Sequence, residues 1–405
     1  MRPPWKQSKL DKLGFVGRGR SRHRPRNDPA LFGGAYPFFQ TGEVKAAELY
    51  LHEHSQTYNE EGLAQSKQWA PGTLCITIAA NIAESAILTI PGCFPDSVVG
   101  FVADETQADT RFVKYSLDIL KLRMQNISRG TTQDNLSLDK LLTIDFPTPP
   151  LPIQRKIAAI LCAYDDLVEN NTRRIAILEE MARLLYREWF VDFRFPGHEC
   201  VPIVDSPLGP VPAGWTIRDF GNVAMNFDSK RIPLSSMARA AIQGPYPYYG
   251  AANVLDHVND YIFDGQYLLT AEDGSVITAG GKPVLQRVSG RFWANNHAHV
   301  IQGKSPVSTN FLYLMMSGYD ISGHITGAAQ PKITQHNLNR IRVLVPAPEL
   351  LAEFDDFVGP SFELLDSLLN ANLNLRQTRD FLLPRLISGE IDVEDLDINT
   401  AGLAA

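Results

Sequence analysis

Two stretches of this chain read as long amphipathic helices of one design, and any fold must accommodate both. In alternating steps of four and three, Ile153, Ile157, Ile160, Tyr164, Leu167, Asn171, Arg174, Leu178, Met181 and Leu185 make a mostly apolar seam within residues 153–189. Arg155, Lys156, Asp166, Glu169, Arg173, Glu179, Glu180 and Arg183 fall between them as solvated flanks. No Gly or Pro interrupts the run, so a helix there extends roughly 55 Å at 1.5 Å per residue. Moving each seam position on by 197 residues (153 to 350) gives Leu350, Phe354, Phe357, Ser361, Leu364, Leu368, Ala371, Leu375, Thr378 and Leu382. Gly359-Pro360 lies inside this second seam and is expected to kink or restart the helix at Ser361, and Pro384 to end it. Asn171 and Arg174 read as polar positions that fix register.

The helices belong to a larger repeat. Trp5-Lys-Gln-Ser-Lys-Leu10 returns as Trp215-Thr-Ile-Arg-Asp-Phe220, and Tyr36-Pro-Phe-Phe as Tyr246-Pro-Tyr-Tyr249. Gly130-Thr-Thr-Gln133 returns as Gly327-Ala-Ala-Gln330, and Phe146-Pro-Thr-Pro-Pro150 as Val343-Leu-Val-Pro-Ala347. Four anchors in the same order indicate a tandem duplication of one mixed domain followed by one long helix. Thr73-Leu-Cys-Ile-Thr-Ile78 and Ser275-Val-Ile-Thr278 read as strands. Phe112-Val-Lys-Tyr-Ser-Leu-Asp-Ile-Leu120 and Phe311-Leu-Tyr-Leu-Met-Met316 read as a helix in each copy. The fold class is therefore α+β: two pseudo-two-fold-related α+β domains separated by an antiparallel pair of long coiled-coil helices. Antiparallel follows because the second helix starts where the first has already carried the chain away. The divisions expected are a first domain over 1–148, a first helix over 149–193, a second domain over 194–345, a second helix over 346–390 and an acidic tail over 391–405.

No chemistry of catalysis is legible. Ala279-Gly-Gly-Lys-Pro283 lacks the first glycine of a phosphate loop and has proline where a magnesium-binding hydroxyl belongs. The pairs His52/His54 and His297/His299 have no HExxH or cysteine partner, so no metal site is expected. Cys75, Cys93, Cys162 and Cys200 are scattered, which suits a reducing cytoplasm better than a disulfide framework. There is no apolar run of 18 residues and no signal-peptide pattern, so no membrane partner is expected.

The formal charge of −7 does not suggest a nucleic-acid binder, but its distribution does. Gly17-Arg-Gly-Arg-Ser-Arg-His-Arg-Pro-Arg26 alternates Arg with small residues, and Glu390, Asp392, Glu394, Asp395 and Asp397 place acidity at the other end. Arg18, Arg20 and Arg22 suit an arm reaching phosphates or base edges, and the same pattern suits a solvated, disordered arm. In the second copy Lys230 and Arg231 occupy the corresponding place, with Lys282, Arg287 and Asn296 as further candidate contacts. Tyr246, Tyr248 and Tyr249 fit a core better than a sugar-stacking surface.

Arranged this way, the chain resembles the specificity subunit of type I restriction-modification systems. The resemblance is carried by Pro149-Pro-Leu-Pro-Ile-Gln-Arg-Lys-Ile-Ala-Ala-Ile-Leu161, by Leu178-Glu-Glu-Met-Ala-Arg-Leu-Leu-Tyr-Arg-Glu-Trp-Phe-Val-Asp-Phe193, by Gly327-Ala-Ala-Gln-Pro-Lys-Ile333 and by Leu383-Pro-Arg-Leu-Ile-Ser-Gly-Glu-Ile391. The first copy departs from it, with Asp134-Asn135 after Gln133 instead of Pro-Lys-Ile. The resemblance implies that the two domains are target recognition domains, each reading half of a bipartite, asymmetric site in double-stranded DNA. It implies helices that act as a ruler and dock two modification (methyltransferase) subunits, with restriction subunits added. It implies no cofactor in this chain: S-adenosylmethionine, ATP and Mg belong to the partners, which extract and methylate an adenine. Arg155, Glu179, Glu180 and Arg183 are then candidate docking residues. Two other classes fit less well: a coiled-coil scaffold whose heads bind protein, and a DNA-modifying enzyme with an unrecognised active site.

Overall fold

In the computed structural model, which describes residues 5–128, 136–327 and 330–400, a short strand opens each copy of the repeat and pairs with the strand that leads into its long helix. Lys6–Ser8 runs antiparallel to Phe146–Thr148, and Thr216–Asp219 runs antiparallel to Arg342–Val345. The chain divides into two units: residues up to Asn171 together with those from Ala371 onward, and Thr172–Asn370. Each long helix therefore contributes to both units, and the helices do not form a unit of their own. The sequence anchor Gly130-Thr-Thr-Gln133 and the two alanines at 328 and 329 lie outside the described residues.

The first unit has a five-stranded sheet in the order Gly14–Arg18, Val98–Ala103, Leu74–Thr77, Ser85–Leu88, Tyr50–Leu51. All its pairings are antiparallel except the last. A four-stranded sheet lies in the order Gln56–Tyr58, Phe32–Phe38, Gly92–Cys93, Gln68–Trp69, with Phe38 parallel to Cys93. Leu74, Ile76, Ile87 and Phe101 pack with Phe112 and Tyr115 of the helix Thr110–Ser128, and Ile157, Leu161 and Leu386 join them in one core.

The second unit has a six-stranded sheet in the order Ala224–Asn226, Ala298–Gly303, Phe263–Ala271, Leu285–Ala294, Gln243–Tyr249, Val254–Val258. Tyr248 runs parallel to Trp293, matching the parallel contact of Phe38 with Cys93. Phe311, Leu312 and Met316 of the helix Thr309–Gly318 pack with Trp189, Phe190, Phe354 and Phe362 in its core. Shared pairings of this kind bear out the duplication. Of the expected strands, the first is present as Leu74–Thr77, whereas Ser275 to Thr278 makes only an isolated bridge, Ile277 to Pro283.

The long helices are Leu151–Phe190 and Pro348–Ser388. Within the first unit Asp165 pairs with Arg379 and Asn171 donates to Asn372 at 2.9 Å, so one segment ascends as the other descends. Within the second unit Trp189 and Phe190 pack on Phe354, again antiparallel. Asn171 is the buried polar register position expected of it; Arg174 is exposed and takes no part in the seam. The seam itself lies one residue away from the expected one in several turns. Val168, Ala182, Val358, Phe362 and Leu365 are buried where Leu167, Met181, Phe357, Ser361 and Leu364 had been expected. The reason is that each helix packs on its unit's core as well as on the other helix, which widens the buried stripe and turns its axis.

Gly359-Pro360 and Pro384 do not end or restart the second helix, which runs through both. A proline there removes one backbone hydrogen bond and costs about 3 kcal/mol. Burial of Phe354, Val358, Phe362 and Leu365 around the first site outweighs that cost, since each such side chain contributes about 1.5–3 kcal/mol. Pro360 and Pro384 are both exposed, so their rings meet solvent and not the core.

Candidate nucleic-acid interface

The backbone that carries the N-terminal arginines is held by hydrogen bonds as far as His23. Gly14–Arg18 is the edge strand of its sheet, and the chain continues from it under fixed backbone contacts. Gly19 N donates to Val98 O at 2.8 Å and Arg20 N to Phe94 O at 2.9 Å, while Arg22 N and His23 N donate to Gln65 Oε1. Ser66 Oγ donates to Arg20 O at 2.8 Å. Exposure alternates past the end of the strand: Gly19 and Ser21 are buried, and Arg18, Arg20 and Arg22 are exposed. A Cβ on Gly19 would lie 2.3 Å from two backbone carbonyl oxygens, which explains why glycine stands there.

Arg18, Arg20 and Arg22 have no carboxylate partner among the described residues. Further along, the cations are committed: Arg24 donates to the carbonyls of Ser21 and His23, and Arg26 pairs with Asp96 at 2.8 Å. His23 meets Asp28 at 2.9 Å. Three exposed guanidiniums at alternate positions form a positive edge suited to a chain of phosphates.

The second unit uses its cations differently. Arg231 Nη1 donates to Glu272 at 2.9 Å and to Ala298 O at 2.6 Å, and its Nη2 lies 3.5 Å from Asp228. His299 is buried, with Nδ1 2.5 Å from Asp228 and Nε2 2.9 Å from the carbonyl of Ile333. Burial alone would lower the His299 pKa, but the bond and charge of Asp228, the Ile333 carbonyl and Glu272 outweigh it and raise it. Two acceptors facing the two ring nitrogens hold the doubly protonated imidazolium. Burial raises the Asp228 pKa, but the His299 bond and charge carry it below its ordinary value; Glu272 is lowered too, against its own burial, by Arg231, His299 and Lys332. Asp228, Glu272 and His299 lie close enough to hold a metal ion. Arg231 and Lys332 already pair with these carboxylates, and His299 meets Asp228, so the cluster forms an ion-pair network.

Arg287 is half of a buried pair: its Nη1 lies 2.5 Å from Asp366, and its Nε donates to Asn310 at 2.8 Å. Arg231 and Arg287 thus hold the second unit together, and neither guanidinium is free for DNA. Those two expectations are corrected by the carboxylates that sequence spacing does not reveal. Lys282 Nζ donates to Gly318 O at 2.5 Å, and the Ala279-Gly-Gly-Lys run closes a turn on Thr278 instead of a phosphate cradle. Lys230 is exposed, 5.2 Å from the Phe227 ring, and has no acidic partner among the described residues; Asn296 is exposed, with only its carbonyl engaged. Tyr246 packs on Tyr261, Tyr249 on Phe292, and the Tyr248 hydroxyl accepts from Leu234 N. The tyrosines are structural.

On the long helices, Arg155 is exposed, but Arg183 lies 3.3 Å from Glu179 and 3.1 Å from Glu180, so three of the four docking candidates pair with each other. The feature missed in the sequence is apolar. Ile177, Met181 and Leu184 are all more than half exposed, at steps of four and three on one face of the first helix, and Val191, also more than half exposed, follows its last residue. Read as part of one broad seam, Met181 had concealed this second stripe.

A family model described as the type I restriction modification DNA specificity domain matches residues 3–180 and 212–350, once for each copy of the repeat. Over 97% of this chain and 94% of the relative, the sequence is 23% identical to the type I restriction enzyme MjaIX specificity subunit of Methanocaldococcus jannaschii. It is 20% identical to the type I restriction enzyme EcoprrI specificity subunit of Escherichia coli over 84% of this chain and 82% of that one. The crystal structure of a type I restriction-modification S subunit from M. genitalium superposes with a TM-score of 0.61 at 16% identity, covering 94% of this chain and 96% of that chain, so the two share a fold.

Proposed function

The chain belongs to the type I restriction-modification DNA specificity family, and from that premise we propose that it is the non-catalytic subunit that selects the DNA sequence for a modification and restriction complex. Each unit reads one half of a bipartite, asymmetric site in duplex DNA. The observation that carries this reading is the ordered face of Arg18, Arg20 and Arg22, whose guanidiniums have no protein carboxylate among the described residues. In the second unit Lys230 and Asn296 remain exposed for the same task, and Lys282 stands next to them in rank because its ammonium is tethered. Arg residues of this kind set position on phosphates and bond guanine edges bidentately.

Chemistry comes from partners. Two modification subunits dock on the long helices and bring S-adenosylmethionine; restriction subunits bring ATP and Mg. The exposed stripe of Ile177, Met181 and Leu184 supports this docking better than the charges of Arg155, Glu179, Glu180 and Arg183 do. Solvated surface pairs contribute little, whereas an apolar stripe with no cover gains from burial. Among the described residues no helix is long and apolar enough to cross a membrane, and Cys75, Cys93, Cys162 and Cys200 are free thiols, as suits the cytoplasm. Mapping methylated adenines in the source genome, with and without this chain, tests the proposal. A bipartite motif that loses methylation with the chain supports it, and an unchanged map overturns it.

A further inference from the structure

The ion-pair network of the second unit carries both of its exposed candidate contacts. Lys230 closes the short turn Asp228–Lys230, and Arg231 follows it. Asn296 lies between the strands Leu285–Ala294 and Ala298–Gly303. Arg231 joins the two places: its Nε donates to Asp228 O at 3.0 Å, and its Nη1 donates to Asn296 O at 3.4 Å as well as to Ala298 O. The turn is also tied to the strand, because Val300 N donates to the Asp228 carboxylate at 2.9 Å and Phe227 N to Val300 O at 2.8 Å. The backbones that carry Lys230 and Asn296 therefore rest on one mount, made of Asp228, Arg231, Glu272 and His299.

Each nitrogen of the buried His299 ring faces an acceptor. Its Nδ1 lies 2.5 Å from Asp228 and 3.8 Å from Glu272, and its Nε2 lies 2.9 Å from the Ile333 carbonyl. An imidazolium donates from both nitrogens, whereas a neutral ring donates from one and turns a lone pair to the other acceptor. Loss of the proton therefore costs one bond and sets a lone pair against a carboxylate or carbonyl oxygen. It also removes a positive charge from beside Asp228 and Glu272, which then share Arg231, with Lys332 pairing to Glu272 at 3.1 Å. Arg231 holds the Asn296 carbonyl and follows Lys230 directly, so a shift of its guanidinium towards either carboxylate moves both candidate contacts. Burial opposes the charge on His299, but Asp228, the Ile333 carbonyl and Glu272 outweigh it and keep the ring charged to a higher pH than an ordinary histidine.

We infer that His299 is a positioning residue for DNA recognition by the second unit: its imidazolium holds Lys230 and Asn296 in the arrangement that meets the duplex, and the neutral ring lets that arrangement go. The inference rests on the DNA-reading assignment above. It makes DNA affinity depend on pH through a residue that itself touches no DNA.

The test uses the chain assembled with its modification subunits and a duplex carrying the motif found by methylation mapping, titrated at fixed salt over a pH series that spans the histidine range. Parent affinity should fall as pH rises, with a slope of log affinity against pH no steeper than about −1, the limit for one linked proton. His299→Gln should bind more weakly than the parent at the acid end and lose that slope. His297→Gln alters the other histidine of this region, which meets Asp273 at 2.7 Å, and should keep the parent's slope. Lys230→Ala with Asn296→Ala removes two exposed side chains, and its unfolding should match the parent's. This double variant should cost more affinity at the acid end, where the mount is set, than at the alkaline end. A salt series at the acid end accompanies each titration. A parent that binds with steep salt dependence but equally at every pH overturns the positioning role and leaves the DNA-reading assignment standing. So does a slope that survives in His299→Gln, or a double variant that loses the same factor at both ends. A parent complex with no salt-dependent binding overturns both.

Discussion

The two units follow one plan, yet they use their basic residues in opposite ways. In the first, Arg18, Arg20 and Arg22 extend from an edge strand with no carboxylate among the described residues to meet them. In the second, Arg231 and Arg287 are gathered in by Asp228, Glu272 and Asp366 and hold the fold. Local sequence looks alike in both places: Arg or Lys just after the first strand of the larger sheet. What differs is the acid. Asp228 sits three residues before Arg231 and is fixed from the other side by His299 and the backbone N–H of Val300. The first unit has Gly17 and Gly19 around the arginines, and no carboxylate among the described residues to hold their side chains. A duplicated scaffold therefore keeps its backbone pairings while its charges move between cohesion in one unit and an exposed face, proposed to meet DNA, in the other.

The largest test of that contrast removes a cohesive arginine. Arg287→Ala strands the Asp366 carboxylate in a mostly buried setting and should cost the second unit about 3–5 kcal/mol, read as an earlier denaturant midpoint. Arg18→Ala should change the first unit's midpoint by no more than about 0.5 kcal/mol. Equal losses from the two would erase the distinction. Next in size is the helix register. Asn171→Ala leaves the Asn372 amide without its buried side-chain partner and should cost about 1–3 kcal/mol in the same assay.

A smaller effect depends on pH. The His299 pKa is raised in the folded chain, so its stabilising contribution is fully present below the ordinary histidine value of about 6.5. It is lost as pH rises through the folded value. Asp228 and Glu272 are lowered and act the other way, losing their contribution as pH falls through their folded values. Thermal unfolding of the second unit should therefore show a stability maximum on the mildly acidic side of neutrality. His299→Gln should flatten its alkaline limb and leave the first unit unaltered. Smallest in stability is the exposed stripe: Met181→Glu with Leu184→Glu should move unfolding by about 0.5 kcal/mol or less. The same pair should abolish co-purification with modification subunits, whereas Arg155→Ala should not.

The repeat and the helices could be read from residue order because apolar periodicity and recurring anchors are local signals. Their limits are equally physical. The seam was displaced at Leu167, Met181, Phe357 and Leu364 because helical faces turn gradually and the cores of the units capture neighbouring positions. Pro360 and Pro384 stay inside a helix because tertiary burial outweighs a lost hydrogen bond. Arg287 meets Asp366 across 79 residues, and His299 meets Asp228 across 71; no spacing rule announces either. Arg18, Arg20 and Arg22 were legible as basic, but the burial of Gly19 and Ser21 between them was not.

The central claim is that the first unit's arginine face is for DNA phosphates and the second unit's buried arginines are not. It is tested most directly by the salt dependence of duplex binding by the assembled complex carrying Arg18→Ala, Arg20→Ala and Arg22→Ala together. The log–log slope should fall by up to about 2.7, at about 0.9 for each phosphate contact removed, with unfolding unchanged. A triple variant that keeps the parent's affinity and slope would contradict the account.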